Sequence, residues 1–363
     1  MKVYINGRFL TQRMTGAQRY ALEMTKAIDG LISSDIISKN IEYFVIAPSN
    51  TLYLPELHNI KIIRKGRLCG HAWEQIELPF YTMDGFLINF CNCAPLMKRN
   101  QTVTLHDAAS SAMPQALSWK FRAWYKFMFI WLGKSLNTIF TVSEFSKKEL
   151  NKYYSIPLNK IHVTYNGIDH IKRIKEDESI ISRKGLNNKN YVLAVSSLNP
   201  YKNFPLILEV ARHMPDVEFI IAGGSNAKVF KNVGLNVPAN ARFIGYVSDE
   251  ELMALYRHAN VFVYPSLYEG FGIPPLEAMM CGCPVVVSDI EVFHEVYGDS
   301  VEYCGCHNIS QWVEALIRIV NKKNVSSDFN NYQCCKYIWK EQAQRLLENI
   351  EIYKKIGDCI GKR

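Results

Sequence analysis

The stretch SLYEGFGIPPLEAMMCGCPVVVSD, residues 266–289, decides which fold the sequence predicts. It follows an apolar strand, passes through a Gly-Phe-Gly turn and two prolines, and continues as a short helix into a second apolar strand. Proline suits the first turn of a helix and glycine the position just after its end. We therefore expect a helix that begins at Pro274 or Pro275 and ends near Gly282. Strand, loop, helix and strand in this order are the repeating unit of a parallel α/β sheet.

The same alternation extends along most of the chain. Short apolar runs predict strands at 2–7, 43–49, 61–64, 86–91, 102–107, 138–143, 160–167, 191–197, 217–223, 241–247, 261–266 and 284–288. Helical patterns fit 16–30, 119–136, 144–154 and 337–356. Ser248 and Glu251 form a capping box at the start of one more helix. Apolar strands separated by helices indicate parallel sheets covered on both faces, so the predicted fold class is α/β with two doubly wound, Rossmann-like domains.

The domain boundaries follow from length and polarity. The chain has 363 residues, and single cores stop growing at about 250–300 residues. The polar segment 168–190 interrupts the alternation and carries charges of both signs. We predict an N-terminal domain at 1–170, a linker at 171–190, a C-terminal domain at 191–340, and a final helix at 341–363 that packs back on the N-terminal domain. The run of acids at 176–178 is expected to be solvated surface.

Composition narrows the classes of function. The net charge is +8, a mild excess that is compatible with phosphate-bearing ligands or an anionic membrane surface. The basic residues are spread along the chain without a zinc-finger, RRM or KH pattern, so no nucleic acid is expected as a partner. The N-terminal residues read as a strand and not as a signal peptide, and no apolar run reaches about 18 residues. We expect a cytoplasmic protein.

The ten cysteines do not suggest a metal site. Several occur as near pairs of the C-x-C type, including Cys91 with Cys93 and Cys281 with Cys283. Zinc sites usually need C-x2-C or mixed Cys and His spacing, so these thiols are interpreted as reduced side chains in strands.

Two acids flank the turn in the opening stretch. Glycines allow the backbone at 270–273 to approach a ligand closely, and a helix start favours anions, so this loop can hold phosphate or sugar oxygens. Glu277 is expected in the first helical turn. Its carboxylate either complements the helix dipole or accepts two vicinal hydroxyls such as a ribose diol, and the spacing alone leaves both readings open.

The motif EGFGIPPLE, residues 269–277, resembles the Glu-x7-Glu signature of the retaining, GT-B-fold glycosyltransferases of the family 4 type. Other segments resemble the family in the family's own order. They are TGAQRY (15–20), AWEQIELP (72–79), LHDAA (105–109), TVSEFSKKEL (141–150), VTYNGID (163–169), SSLNPYKN (196–203), GYVSDEEL (245–252) and AMMCGCPVVVSD (278–289). Each segment is weak evidence alone, whereas the ordered set covers nearly the whole chain.

The resemblance implies catalytic roles for His106, Glu269 and Lys202. The first Glu of the motif, Glu269, would contact the transferred sugar, and His106 would contact the donor sugar from the N-terminal domain. A fixed ammonium also stabilises the charge that develops when a nucleoside diphosphate leaves, which supports Lys202 independently. A buried, satisfied histidine is the ordinary alternative for His106.

The resemblance also implies a donor-binding set, with Glu277 on the ribose. The other members are Gly16, Ser197, Lys202, Tyr246, Val247, Gly270, Phe271, Gly272 and Ile273. Tyr246 and Val247 would contact the base through main-chain atoms. Many relatives carry an Arg either a few residues before the phosphate-binding Lys or directly before it, and this chain has Ser197 and Tyr201 at those positions. Phosphate neutralisation would then depend on Lys202, on the backbone of Gly16, and on Arg13 or Arg19.

The implied reaction is transfer of a hexose, of mannose or glucose type, from a GDP-, UDP- or dTDP-linked sugar with retention. The acceptor would be a saccharide, free or linked to polyprenyl diphosphate, in polysaccharide, O-antigen or capsule synthesis. No Asp-x-Asp pair occurs, so we expect no metal cofactor. The alternatives are a GT-B-fold nucleotide-sugar isomerase and a non-catalytic nucleotide-sugar-binding protein. A nicotinamide-dependent oxidoreductase would need a G-x-G-x-x-G motif that neither half contains.

The segment WKFRAWYKFMFIWLGK, residues 119–134, combines aromatic and basic side chains. It could lie peripherally on the cytoplasmic face of the inner membrane, where a lipid-linked acceptor would be found. The alternative is a helix that buries its aromatic face in the N-terminal core. We favour burial because apolar residues surround most of the helix.

Overall fold

The computed structural model describes residues 1–34, 36, 41–195, 199–223, 236–321 and 336–350. The chain divides into two compact units. The first unit contains Met1–Gly167 together with the chain from Lys336 onward, and the second contains Ile168–Cys335.

The first unit is built on a seven-stranded parallel sheet. Its strands are β1 (Lys2–Asn6), β2 (Glu42–Ala47), β3 (Lys61–Arg64), β4 (Gly85–Asn89), β5 (Gln101–Thr104), β6 (Ile139–Thr141) and β7 (Ile161–Val163). Their order across the sheet is β3-β2-β1-β4-β5-β6-β7, and all neighbours are parallel. The parallel, doubly wound sheet predicted from the apolar runs is confirmed.

The helices of the first unit cover this sheet. They are α1 (Gly16–Ser33), α2 (Gly70–Ala72), α3 (Leu78–Tyr81), α4 (Ala109–Ala112), α5 (Trp119–Ser135) and α6 (Glu144–Tyr154). A π-helical turn at Trp73–Glu77 joins α2 to α3, and 3-10 turns occupy Gly7–Thr11, Pro114–Ala116 and Leu158–Lys160. Buried residues of α5, α6 and strands β5 to β7 form one continuous apolar core.

The second unit repeats the design with six parallel strands. They are β8 (Tyr191–Val195), β9 (Glu218–Ala222), β10 (Ala241–Gly245), β11 (Val261–Tyr264), β12 (Val285–Ser288) and β13 (Glu302–Cys304), in the order β10-β9-β8-β11-β12-β13. Strand β13 was not predicted, because it has three residues and two of them are only half-buried.

The helices of the second unit include the one predicted from the opening stretch. They are α7 (Ser179–Arg183), α8 (Phe204–Arg212), α9 (Asp249–His258), α10 (Ile273–Met280), α11 (Glu291–Tyr297) and α12 (Ile309–Asn321). Helix α9 begins at the predicted capping box, in which the side chains of Ser248 and Glu251 each accept a hydrogen bond from the other's backbone N–H. Gly282 has φ +79° just beyond α10, as a residue that ends a helix requires.

Residues 171–190, predicted as a linker, are part of the second unit. After a 3-10 turn at Asp169–Arg173, Ile180 of α7 is buried, and the N–H of Asp177 donates to the carbonyl of Glu250. The acids at 176–178 also help to hold this segment on the second unit, because Glu176 pairs with Arg257 of α9 at 2.6 Å. Polar composition misled the prediction here, since a few isoleucines anchor an otherwise charged segment.

The last described helix, α13 (Trp339–Asn349), belongs to the first unit. Its buried Trp339 meets the ring of Tyr20 from α1 edge-on at 5.8 Å between centroids. A Cβ added at Gly167 would lie 2.6 Å from Trp339, so only glycine fits there without a shift. The N–H of Tyr165 donates to Oε1 of Gln342 at 3.0 Å.

The expectation that α5 buries its aromatic face is wrong. Trp119 is 71% exposed, and four more aromatic side chains of the helix are also exposed: Phe121, Trp124, Phe127 and Trp131. The core receives Phe129 with Met128 and Leu132 instead. Among the described residues, no helix is both long and apolar enough to cross a membrane.

We expect Trp339→Ala to destabilise the first unit by about 3–5 kcal/mol, because it opens a cavity beneath α1. Urea unfolding followed by tryptophan fluorescence measures the change. Trp119→Ala is the matched control, since its exposed side chain leaves no cavity. Equal unfolding midpoints for both variants would contradict the packing of α13 on this unit.

Candidate functional site

The order of the second sheet reverses between β8 and β11. Strands β9 and β10 extend from β8 on one side, and β12 and β13 extend from β11 on the other. In open α/β sheets, ligands bind beyond the carboxyl ends of the strands at such a switch point. Lys202, in the 3-10 turn Pro200–Lys202, follows β8, and Glu269 follows β11.

Lys202 and Glu269 are in direct contact. The Lys202 ammonium lies 2.5 Å from Oε1 of Glu269 and donates to the hydroxyl of Tyr264 at 3.0 Å. Only 13% and 11% of the two charged side chains are exposed, so water screens the pair poorly. The loops that carry them are joined as well, because the N–H of Leu267 donates to the carbonyl of Tyr201 at 2.7 Å. The structure therefore brings together two of the three predicted catalytic residues.

Tyr264 completes this charged cluster as a neutral group. Its burial, reinforced by the adjacent Glu269 carboxylate, raises the pKa of the Tyr264 hydroxyl well above its ordinary value. The cluster thus contains one cation, one anion and one hydroxyl. It can stabilise an anionic leaving group through the ammonium and a positive centre or sugar hydroxyl through the carboxylate.

The predicted donor-binding loop, Gly270–Ile273, is buried. Gly272 has φ +93°, and its carbonyl accepts a hydrogen bond from the Tyr297 hydroxyl at 2.7 Å. A Cβ at Gly272 would lie 2.2 Å from that hydroxyl, so the position requires glycine for both space and backbone conformation.

The start of α10 offers fewer donors than the sequence suggested. The helix begins at Ile273, so Pro274 and Pro275 are its second and third residues. Proline has no N–H, and of the first four helical positions only Ile273 and Leu276 retain one. Main-chain binding of an anion here depends on the loop as much as on the helix end.

Glu277 lies in the second turn of α10 and not in the first, because the helix begins at Ile273, one or two residues earlier than predicted. Its carboxylate is buried and held from both sides. Nε2 of His170 lies 3.3 Å from Oε1, and the Tyr256 hydroxyl donates to Oε2 at 3.2 Å. Burial, with this carboxylate nearby, raises the pKa of Tyr256 well above its ordinary value. The dipole reading of Glu277 is weakened, whereas a fixed carboxylate remains suitable for a diol.

The remaining predicted donor residues of the second unit are on or near its loops. Tyr246 is exposed and Val247 is buried, and both follow β10 beyond Gly245, which has φ +80°. Ser197 lies outside the described residues.

In the first unit, Gly16 opens helix α1 and is exposed. Thr15 precedes it without a side-chain capping bond, so the first-turn N–H groups have no side-chain cap. Arg13 is exposed, and Arg19 is 4.0 Å from Glu23, one turn along the helix. The start of α1 carries the partial positive charge of a helix N-terminus, which favours the binding of an anion.

His106 follows β5 and is buried. Its Nε2 lies 2.7 Å from the carbonyl of Phe90, and its ring meets Tyr20 edge-on at 5.1 Å. Burial lowers the pKa of His106 to about 4, so the ring is neutral at neutral pH. Nε2 then carries the proton and donates to Phe90, which leaves Nδ1 as an acceptor. His106 is thus a buried histidine with a hydrogen-bond partner, which is the ordinary alternative to a catalytic role.

A second polar cluster lies at the carboxyl ends of β1 and β4. One nitrogen of His71, one carboxylate oxygen of Glu74 and the sulfur of Cys93 lie within 4.8 Å of one another, a spacing that a metal ion could use. The chemistry disfavours this, because Nε of Arg8 donates to Glu74 at 3.1 Å and supplies its counter-charge. Burial also raises the pKa of the Cys93 thiol to about 12, which opposes the thiolate that zinc needs.

Sequence reasoning missed the side chains that hold the predicted acids. His170 and Tyr256 fix Glu277, and Tyr264 joins Lys202 to Glu269. His170 directly follows the segment VTYNGID, which signalled that the region is functional without singling out the ring. The two tyrosines lay in a predicted helix and a predicted strand, and no spacing rule connected them to the glutamates.

Comparison with known proteins agrees with this geometry. Residues 176–333 match the model of the family described as Glycosyl transferases group 1, and residues 85–172 match that of Glycosyltransferase Family 4. The chain is 33% identical over 243 residues to the O-antigen chain mannosyltransferase RfbU of Salmonella typhimurium, over 66% of this chain and 65% of that protein. The match thus spans slightly less than two thirds of that relative's length.

Two solved structures resemble the whole fold. One is a sucrose-phosphate synthase from Thermosynechococcus elongatus, with a TM-score of 0.72, 14% identity and coverage of 99% of both chains. The other is the Anabaena protein HepE in complex with UDP and glucose, with a TM-score of 0.72, 16% identity, and coverage of 96% of this chain and 99% of that one. The architecture of the chain is therefore the GT-B fold.

The pKa of His106 predicts a pH dependence of stability. Its folded value of about 4 lies below the ordinary value of 6.5, so between these values the unfolded chain binds a proton that the folded chain does not. Stability is then lost as pH falls from about 6.5 toward 4, by roughly 2 kcal/mol at pH 5.

We expect His106→Gln to remove this component from the difference in unfolding free energy between pH 7 and pH 5. Urea titrations at the two pH values measure it, and exposed His58→Gln serves as the control. An unchanged difference in His106→Gln would refute the assignment.

Proposed function

The chain belongs to the family 4-type glycosyltransferases of the GT-B fold, and we propose that it transfers a hexose from a nucleoside-diphosphate sugar to a saccharide acceptor. The observation that carries the proposal is the contact of Lys202 with Glu269 at the switch point of the second sheet. This pair places a cation for the departing diphosphate next to an anion for the sugar.

In this proposal the donor occupies the carboxyl edge of the second sheet. The diphosphate binds the Lys202 ammonium, and the sugar lies against Glu269 and the loop Gly270–Ile273. Glu277, already fixed by His170 and Tyr256, accepts the two ribose hydroxyls without any further ordering of its side chain. Tyr246 and Val247 contact the base. The solved structure of HepE contains UDP and glucose, which supports a nucleotide and a hexose as the ligand classes.

The proposed reaction breaks the bond between the anomeric carbon and the diphosphate and forms a bond from that carbon to an acceptor hydroxyl oxygen, whose proton passes to the departing diphosphate. Positive charge then develops on the sugar ring, as in glycoside hydrolysis, while negative charge grows on the leaving phosphate. Lys202 stabilises the leaving group and Glu269 the sugar. Retention, with an α-linked product, is proposed from the family resemblance.

Mannose is the proposed sugar, and an O-antigen-type polysaccharide the proposed product. Support comes from the relative in Salmonella typhimurium, whose name is that of an O-antigen chain mannosyltransferase. No metal is proposed, since Lys202 supplies the positive charge that a divalent ion would bring to the diphosphate. A nucleotide-sugar isomerase is the alternative, and it differs in needing no second sugar for turnover.

We further propose that helix α5 lies on an anionic membrane surface, where a lipid-linked acceptor would be presented. The helix has four basic residues and no acidic one, and its outward face presents Trp119, Trp124, Phe127 and Trp131. Exposed aromatics beside basic side chains are typical of helices that lie in the headgroup region.

The donor site is tested with a panel of GDP-mannose, UDP-glucose and dTDP-glucose. We expect one of them to stabilise the protein against heat, by about 2.7 kcal/mol at 100 times its dissociation constant. With that donor, Lys202→Ala should lower kcat by roughly 100-fold or more, because the transition-state charge loses its partner. Glu277→Ala should mainly raise the donor KM. Steady-state kinetics with and without EDTA give both parameters and test the need for metal.

Lys175→Ala, which removes an exposed lysine of the same unit, controls for net charge. A thermal-stability measurement on each variant separates loss of function from loss of fold. Wild-type kinetics in both Lys202→Ala and Glu277→Ala would rule out the donor site described here.

Membrane contact is tested by co-sedimentation with vesicles of phosphatidylglycerol and phosphatidylcholine in equal amounts. We expect binding that salt weakens and that Trp124→Ser with Trp131→Ser abolishes, because the interfacial aromatics are removed. Ile317→Ser, an exposed apolar residue of the second unit, is the control. Equal binding to vesicles of phosphatidylcholine alone would contradict the electrostatic part of the proposal.

A further inference from the structure

The first sheet has a switch point of its own, and its polar side chains have no role so far. The strand order reverses between β1 and β4. Asn6 ends β1, Arg8 lies in the turn after it, and Asn89 ends β4. By the rule that located Lys202 and Glu269, a ligand of the first unit belongs at this edge.

Glu74 is a buried carboxylate that connects the elements at this edge of the sheet. Its Oε1 accepts a hydrogen bond from the Asn6 amide at 2.8 Å and from Nε of Arg8 at 3.1 Å, and 1% of its side chain is exposed. The Asn6 amide nitrogen also donates to Asn89 at 2.9 Å, which ties β1, β4 and the π-helical turn together. Burying a carboxylate is costly unless it is paired, and here the pairing also fixes its position.

The second oxygen of the Glu74 carboxylate, Oε2, faces His71. Oε2 of Glu74 and Nδ1 of His71 lie 3.3 Å apart, both are buried, and neither has an aligned hydrogen-bond partner among the described residues. Yet 42% of the His71 side chain is exposed. With Nδ1 buried, the exposed part of the ring is the opposite edge, which carries Nε2. Nδ1 faces the Glu74 carboxylate, so Nε2 is the ring nitrogen left for a hydrogen bond with a ligand.

Aromatic rings lie next to the His71 ring. Tyr125 meets the His71 ring edge-on at 6.5 Å, and Phe121 stacks on Tyr125 at 4.2 Å with its own side chain exposed. Apolar faces beside a few fixed polar atoms are the usual lining of a small-molecule site. A sugar ring matches such a lining, because its apolar C–H faces can pack on the aromatic rings and its hydroxyls can bond to the fixed polar atoms.

We propose that His71 binds a hydroxyl of the saccharide acceptor through Nε2, and that Glu74 is the positioning residue, whose carboxylate lies against Nδ1 of the ring. This inference rests on the proposed glycosyltransferase function and names the acceptor contact that it lacks. A neutral polyol fits better than a phosphate, because the charge of Arg8 is already balanced by Glu74 and leaves no net positive charge for an anion.

Two isosteric substitutions separate binding from scaffolding. In His71→Gln the side-chain amide reaches the position of Nε2, whereas in His71→Asn it reaches only that of Nδ1. Saturation-transfer NMR on the full chain, titrated with the methyl α-glycosides of mannose, glucose, galactose and rhamnose, measures acceptor affinity without a donor. We expect His71→Asn and His71→Ala to weaken the best probe about tenfold, a typical loss for one well-placed hydrogen bond. His71→Gln should stay within about threefold, as should the control His58→Ala.

The opposite pattern, with affinity kept in His71→Asn and lost in His71→Gln, would show that the ring only satisfies Glu74 and would overturn the proposal. Absence of saturation transfer from all four glycosides to the parent protein, up to their solubility limits, would overturn it too. Neither result bears on nucleotide-sugar binding at Lys202, which is measured separately by heat stabilisation. Failure of this inference and failure of the proposed function are therefore distinguishable.

Discussion

The ion pair between Lys202 and Glu269 depends on the strand order of the second sheet. The two residues are 67 positions apart in sequence, and they meet only because β8 and β11 are neighbours. Strands β9 and β10 lie between them in the chain but extend to the other side of β8. This placement leaves space beyond the central strands and directs the loops after both of them to one edge. The site is thus a consequence of topology before it is a consequence of side-chain chemistry.

The two acids of the Glu-x7-Glu motif are held in different ways, and the difference suits different tasks. Glu277 is held by a histidine and a tyrosine inside the unit, so its position is set before a ligand binds. Glu269 is held by the ammonium of Lys202. A bound diphosphate would compete for that ammonium and loosen its hold on Glu269. Donor binding would therefore alter the charge balance around Glu269 while Glu277 stays as it was.

Much of the fold could be predicted from sequence because its strands are short, apolar and separated by helical periodicity. The helix after Ser248 and the turn at Gly282 depend on local backbone chemistry that is visible in neighbouring residues. Contacts distant in sequence could not be predicted. The docking of residues 168–190 depends on a few buried isoleucines, and the clamp on Glu277 on a histidine 107 residues away. For α5, hydrophobicity alone did not distinguish a buried aromatic face from an exposed one.

Each sheet carries a cation paired with a carboxylate at its switch point, but the cations are not equivalent. Arg8 presents a planar guanidinium to Glu74, and Asn6 shares the same oxygen, so that carboxylate is confined by two directional donors. Lys202 presents a single ammonium on a flexible stem, whose hydrogen bonds can be redirected to a ligand at little conformational cost. A pair confined by directional bonds suits a scaffold that holds another residue, such as His71. A pair made by an ammonium that can redirect its hydrogen bonds suits direct contact with a phosphate whose charge changes during the reaction. The choice of arginine in one sheet and lysine in the other thus follows from what each carboxylate is proposed to do.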